Sequence, residues 1–539
     1  MIQSGDYLDN KVKVQIYDTT LRDGAQAEGF NLTVADKLKI TRKLDDLGVA
    51  YVEGGWPGSN PKDTEYFQRV RSLALQHARI AAFGSTRKAG ASVADDTNIR
   101  ALLEAETPCV CLVGKTWDFH VHTALQTTLE ENLDMIRDSV AYMKARCREV
   151  VYDAEHFFDG FKANPDYALT TLKTAAAAGA DWIVLCDTNG GTLTYEIEEI
   201  CGRIARAIDT PLGIHTHNDG ELAVANSIAA VRCGMRMVQG TINGYGERCG
   251  NANLCSVIPN LQLKMGCDCI DPGLLQHLTE ASHYVDEIAN MAPHTQQSFV
   301  GASAFAHKGG IHVSAILRSP LTYEHIDPAL VGNHRRVLVS ELSGLSNIFS
   351  KAKELGLDLQ QGSPHARDLI QQIKDLEHRG YQYEAADASL ELLLRRALGQ
   401  CREFFTLERL NVHVVKRSDD DETISTEATV KLRVGDQVMH TAAEGNGPVA
   451  ALDNALRKAL EGFYPCLGEM HLVDYKVRVL DGKDGTYSTV RVLIESSDNQ
   501  DVWSTVGVSE NIIEASWQAL ADSMNYALLR RPSGTEDNI

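Results

Sequence analysis

The chain lacks most of the features that would place it in a specialised class. Its 12 cysteines in 539 residues are scattered, with no paired spacing of the zinc-finger or redox kind. Cys109-x-Cys111 lies in an apolar run and Cys267-x-Cys269 follows an expected helix, so both read as buried small hydrophobes rather than ligands. That pattern suits a reducing, cytoplasmic compartment. No apolar run is long enough to span a bilayer, and the polar, acidic opening (residues 1–10) has no signal-peptide pattern. Basic residues are in deficit: 52 Lys and Arg against 73 Asp and Glu give a formal charge of −21. No basic face is evident, which argues against nucleic acid or an anionic membrane as the main partner. An anionic small substrate remains compatible, because one local arginine can outweigh a distant acidic surface. Also missing is a glycine fingerprint after the first apolar strand. That turn reads Thr19-Thr20-Leu21-Arg22-Asp23-Gly24, which disfavours a doubly wound dinucleotide-binding sheet.

What is present is ordinary globular material, 44% hydrophobic and 23% charged, in a chain long enough for two or three domains. Short apolar runs begin at Val14, Tyr51, Arg79, Cys109, Glu149, Trp182, Leu212 and Met237. Helical patterns separate them, including 33–47, 129–145, 167–178 and 221–233. The first opens with a near capping box, Thr33 and Asp36, and carries Ile40, Leu44 and Leu47 at helical spacing. Eight such units in about 265 residues match the ~250 of a (β/α)₈ barrel.

A barrel collects its chemistry at the C-terminal ends of its strands. The residues that follow the strands are Asp18, Arg22 and Asp23; Glu53; Ser85, Thr86 and Arg87; Asp153 and Glu155; Asp187 and Thr188; His215 and His217; and 243–251. Any one of these could be a turn or cap residue. Converging from at least six strand ends, they read as one polar rim. Within it, His215 and His217 are two apart and point to the same side of a strand. Two imidazoles with Asp23 would suit a divalent cation, although an H-x-H alone is equally a structural pair.

Three motifs in order, Leu21-Arg22-Asp23-Gly24-Ala25-Gln26, His215-Thr216-His217-Asn218-Asp219 and Gly246-Glu247-Arg248-Cys249-Gly250-Asn251, resemble the isopropylmalate/homocitrate/citramalate synthase family. The runs beginning at Glu53-Gly54-Gly55-Trp56 and Asp153-Ala154-Glu155-His156 look like the citramalate branch. Cys255 departs from the family, many of whose members carry an acidic residue there. The resemblance implies a metal-dependent barrel that condenses acetyl-CoA with a 2-oxo acid. Pyruvate is the expected acid, giving (R)-citramalate and CoA at the head of an isoleucine route. Isopropylmalate or homocitrate synthesis is the same-class alternative, and a metal-dependent C–C lyase or aldolase the different-class one. The implied metal ligands are Asp23, His215, His217 and Asn251, for Mg²⁺, Mn²⁺ or Zn²⁺. Arg22, Gln26 and Thr188 are the implied substrate-binding groups. Arg22 also serves catalysis by holding the keto oxygen, unless it is merely paired with Asp18 or Glu53. The competing role for Thr188 is a helix cap. The resemblance assigns proton transfer to Glu155 and, beyond the barrel, to His312 in Phe305-Ala306-His307-Lys308-Gly309-Gly310-Ile311-His312-Val313 and to Tyr323. In relatives this pair reaches the other subunit's site, so a homodimer is expected.

The expected organisation is a barrel over 11–275, a helical linker over 276–400 and a C-terminal α+β regulatory, dimerising domain over 401–531. In the linker, 346–355 and 364–398 read as helices, with Gly356 and Gly362 as breakers. Strands are expected over 407–415 and 428–434, with Asp419-Asp420-Asp421-Glu422 as their turn, then a helix over 448–461. The order repeats with strands 472–480 and 488–494 and a helix around 512–529. The two halves align at a shift of 64 residues, Thr441 over Thr505, which signals an internal duplication. By resemblance, Gly445-Asn446-Gly447-Pro448 belongs to a domain that binds the end-product amino acid, here isoleucine. A plain dimerisation domain is the alternative.

Overall fold

The computed structural model describes residues 11–147, 149–359, 364–416, 424–480 and 488–531. These form two compact units. One runs to Phe305 and takes in Ile326–Arg335; the other comprises Ala306–His325 and the chain from Arg336 onward.

The first unit is a closed barrel of eight parallel strands. They are β1 (Gln15–Asp18), β2 (Tyr51–Gly55), β3 (Arg79–Ser85), β4 (Cys109–Lys115), β5 (Glu149–Glu155), β6 (Trp182–Asp187), β7 (Leu212–Thr216) and β8 (Met237–Gly240). β8 pairs back onto β1, with Gln239 opposite Tyr17, and closes the ring. Alternation along each strand sorts residues into two layers. Val110, Leu112, Val150 and Tyr152 face the surrounding helices, while Tyr17, Tyr51, Cys109, Cys111, Val151 and Met237 fill the barrel. The Cys109-x-Cys111 pair is therefore an inward-facing packing element, and burial pushes both thiols well above their ordinary pKa.

The helix Val34–Leu47 shows how the outer layer forms. Thr33 accepts the Asp36 amide and the Asp36 carboxylate accepts the Thr33 amide, so both orphan donors are satisfied. Ile40, Leu44 and Leu47 are buried against the barrel, each contributing about 1.5–3 kcal/mol. Gly48 ends the helix at φ 88°, where a Cβ would meet Leu274. Each strand runs further at its C-terminal end than its apolar stretch suggested, into Asp18, Lys115, Glu155, Asp187 and Gln239.

The second unit contains helices Gly310–Arg318, Leu345–Glu354, Pro364–His378 and Asp387–Ala397. The single helix expected over 364–398 is thus two, divided where Gly380 takes φ 109°. Strands Thr406–Lys416, Ile424–Val434 and Gln437–Gly445 then form an antiparallel sheet followed by helix Pro448–Leu460. Strands His471–Val479, Val490–Ser497 and Val502–Ser509 repeat this before helix Ile512–Leu529. The third strand of each sheet was not anticipated. The acidic turn expected at Asp419–Glu422 lies outside the described residues. The duplication is exact enough to copy single contacts: Thr441 Oγ1 donates to Ala455 O at 2.8 Å, and Thr505 Oγ1 to Ala519 O at 2.8 Å. Both sheets also shift register at matching places, Leu407/Arg409 and Leu472/Asp474.

Candidate active site

The turn after β1 is wound on one carbonyl. Thr19 O accepts the amides of Arg22, Asp23 and Gly24, which sets Arg22 and Asp23 side by side at the barrel mouth. Asp18 does not join them. Its carboxylate accepts from the Thr20 amide and hydroxyl, and burial raises it to about 7.

His215 ends the inward face of β7, and His217 lies one residue past the strand. There it forms an antiparallel bridge with Asn251, extended by Asn218 N–H to Gly250 O and Ala252 N–H to Thr216 O. This bridge carries the last sequence motif to the metal candidates. Its loop needs glycine: at Gly250 (φ +86°) a Cβ would lie 2.0 Å from Gly244 O, and at Gly246 it would lie 2.1 Å from Asn251 Nδ2.

Asp23, His215 and His217 present one ligand atom each, all within 4.8 Å of one another, and all three side chains are buried. Asp23 Oδ2 lies 3.4 Å from His215 Nε2 and 3.9 Å from His217 Nε2. Asp23 Oδ1, His217 Nδ1 and Asn251 Oδ1 are buried without a hydrogen-bond partner. Orphaned buried polar atoms are costly, and one divalent cation among Asp23, the two imidazoles and Asn251 would satisfy the two oxygens. The electrostatics suit it. Burial holds His215 down at about 3, so its imidazole is neutral, and lowers His217 as well. Burial alone would raise Asp23, but Arg22, His215 and His217 bring it to about 2 and keep it ionised.

Arg22 donates from Nε to Glu53 Oε2 at 2.6 Å and from Nη1 to Asp23 Oδ2 at 3.1 Å, and its guanidinium lies 3.9 Å from the Phe83 ring centroid. Glu53, raised by burial, also accepts from Tyr17 OH at 2.9 Å. The pairing with Glu53 weighed from the sequence is present, and that with Asp18 is absent. It leaves Nη2 for the cavity that Arg22 lines.

That cavity, about 560 Å³, is lined by first-unit residues that include Arg22, Asp23, Gln26, Glu155, Thr188 and His217. Glu155 is ion-paired with Lys115, also in the lining. Thr188 caps no helix: the next one, Thr194–Ile204, has Leu193 at its N-cap. Arg248 ties this rim together, gripping Asp219 with two nitrogens at 2.7 and 3.0 Å and donating to Thr188 O at 2.7 Å. Arg87, by contrast, is occupied by Glu131 and Asp138, and Asp187 by Thr192. Cys255, the departure from the family pattern, is buried with its thiol 3.4 Å from Asn243 Oδ1, away from the ligand set.

His312 and Tyr323 belong to the second unit, where their rings pair at 4.3 Å between centroids. Tyr323 is 47% exposed. Gln239 was missed from the sequence. It sits inside the barrel on β8, opposite His215, and is fully buried.

Residues 13–285 match the HMGL-like family, 299–381 the homocitrate synthase post-HMGL domain-like family, and 384–528 the LeuA allosteric (dimerisation) domain. The (R)-citramalate synthase of Geobacter sulfurreducens is 58% identical over 515 residues, covering 96% of this chain and 97% of that protein. The (R)-citramalate synthase of Aquifex aeolicus is 55% identical, over 96% and 98%. A 2-isopropylmalate synthase of Methanocaldococcus jannaschii is 32% identical, over 96% and 95%. With (R)-citramalate synthases at 58% and 55% identity over nearly their whole length, the chain belongs to the (R)-citramalate synthases of the HMGL-like family.

Proposed function

We propose that the barrel cavity condenses acetyl-CoA with pyruvate and hydrolyses the thioester, releasing (R)-citramalate and CoA for isoleucine synthesis. One observation carries this reading: a buried set of unsatisfied oxygen and nitrogen donors opens beside a guanidinium, in a chain 58% identical to a (R)-citramalate synthase. A divalent cation on Asp23, His215, His217 and Asn251 would polarise the keto group of the 2-oxo acid as a Lewis acid. Mixed N/O donors suit Mg²⁺ or Mn²⁺, with Zn²⁺ also compatible.

The chain's own groups do the rest. Arg22 holds the keto oxygen and then the alkoxide that replaces it, with a charge fixed by Glu53 and Asp23. Thr188 donates its hydroxyl to the substrate carboxylate, and Gln26 also lines the cavity. Glu155 takes part in proton transfer at the thioester methyl, with the Lys115 ammonium beside it. His312 and Tyr323 complete the proton chemistry in the cavity of a second copy, so the active form is a homodimer, in keeping with the match to a dimerisation domain. Isoleucine is the effector we assign to the duplicated C-terminal domain. All twelve cysteines are free, which fits a cytoplasmic setting. Among the described residues no helix is long and apolar enough to cross a membrane.

The test is CoA thiol release from acetyl-CoA with pyruvate, 2-oxobutyrate, 2-oxoisovalerate and 2-oxoglutarate, with and without chelator. Pyruvate should give the highest kcat/KM, and chelator should stop turnover. A preference for 2-oxoisovalerate would move the enzyme to leucine synthesis.

A further inference from the structure

His215 is one of two imidazoles in the ligand set, and only one of its two nitrogens faces Asp23. Nε2 lies 3.4 Å from Asp23 Oδ2; Nδ1 lies 2.9 Å from Gln239 Oε1. Gln239 is fully buried and donates from Nε2 to Asp153 Oδ1 at 2.9 Å. Asp153, 3% exposed, belongs to β5, across the barrel from β8. Of the four residues, only Asp23 lines the cavity.

The hydrogen-bond directions follow from the contact to Asp153. Asp153 Oδ1 accepts from the Gln239 amide nitrogen. That orientation turns the Gln239 oxygen to His215. A carbonyl oxygen only accepts, so His215 carries its proton on Nδ1. Its Nε2 lone pair is then free and directed toward Asp23. With the amide reversed, an N–H would face Nδ1, the imidazole proton would move to Nε2, and that nitrogen could bind no cation.

We propose that Gln239 is a positioning residue that fixes the tautomer and orientation of His215 for metal binding, and that Asp153 fixes Gln239 in turn. The proposal rests on the reading that Asp23, His215 and His217 hold a divalent cation. Groups that accept from a ligating histidine commonly govern metal affinity by about 10–100-fold.

The experiment is Mn²⁺ titration of the metal-free, full-length protein by competition with a chromophoric chelator, with the metal-free melting temperature measured alongside. Gln239→Met keeps the side-chain volume and removes the acceptor; it should weaken Mn²⁺ binding by about 10–100-fold. Gln239→Glu combined with Asp153→Asn exchanges the charge between the two positions and keeps an acceptor toward His215, so it should recover most of that affinity. Should Gln239→Met not fold, Gln239→Asn, whose amide is too short to reach Nδ1, should show the same loss. Wild-type affinity in a variant without the acceptor overturns the role of Gln239. A wild-type protein that takes up no Mn²⁺ overturns instead the underlying assignment of the metal ligands.

Discussion

His156 donates its backbone N–H to Thr188 Oγ1 across 2.9 Å, from a left-handed backbone conformation (φ 54°, ψ 33°). That amide uses the hydroxyl oxygen as an acceptor and leaves the hydroxyl hydrogen to be donated into the cavity. Thr188→Ser should therefore retain activity. Thr188→Val should lower kcat/KM for pyruvate by roughly 10–100-fold, the ~1.5–3 kcal/mol of a hydrogen bond to a charged group. The loss should fall mainly on KM in steady-state thiol-release assays, and an unchanged KM would detach Thr188 from the substrate carboxylate.

Arg22 is held on two sides, by Glu53 and Asp23, in a geometry that needs a planar fork. Lysine has a single ammonium and cannot contact both carboxylates and the keto oxygen together. Arg22→Lys should reduce kcat by about 10²–10³-fold, the usual cost of losing a donor to a developing oxyanion. Turnover at the wild-type rate in this variant would remove Arg22 from the chemistry.

Removing the metal should cost stability as well as activity. A ligand present at 100 times its Kd stabilises the folded state by about 2.7 kcal/mol. Dialysis against chelator should lower the melting temperature, and Mn²⁺ should restore it. Asp23→Asn should abolish the Mn²⁺-dependent rise and the activity together. A rise that persists in that variant would place the cation elsewhere.

Asp18 gives the pH dependence its sign. Burial raises its folded-state pKa from 3.8 to about 7, with a further upward push from Glu53. The folded protein thus holds a proton that the unfolded chain has released between these values. The associated stability is complete below about pH 4 and is lost as pH rises through 7, by at most ~1.4 kcal/mol per pH unit. Asp18→Asn cannot ionise, so its melting temperature relative to wild type should climb between pH 4 and 8. A constant difference across that range would show that Asp18 is ionised throughout.

The barrel was legible in the sequence because eight apolar runs alternate with amphipathic helices, and the candidate cluster of Asp23, His215 and His217 because its motifs are short and local. The strand ends were not. Apolar periodicity stops where β4, β5, β6 and β8 exchange packing residues for Lys115, Glu155, Asp187 and Gln239, of which the first two line the cavity. The apolar run that begins at Met237 gives no sign of Gln239, which lies opposite His215 in the sheet. Asn251 was visible as part of a motif, but its route to the site, a backbone bridge to His217, depends on pairing that no local pattern encodes. Helical periodicity likewise ran through 364–398, because amphipathic spacing on both sides of Gly380 masks a break set by one backbone angle.

The repeated threonine clasp in the C-terminal domain supplies an internal standard. Thr505 is enclosed and Thr441 half-buried, yet each ties its third strand to the following helix in the same way. Replacing either by valine removes one bond of the same length and type. Any difference between the two variants then measures the surroundings, within a single polypeptide that serves as its own reference.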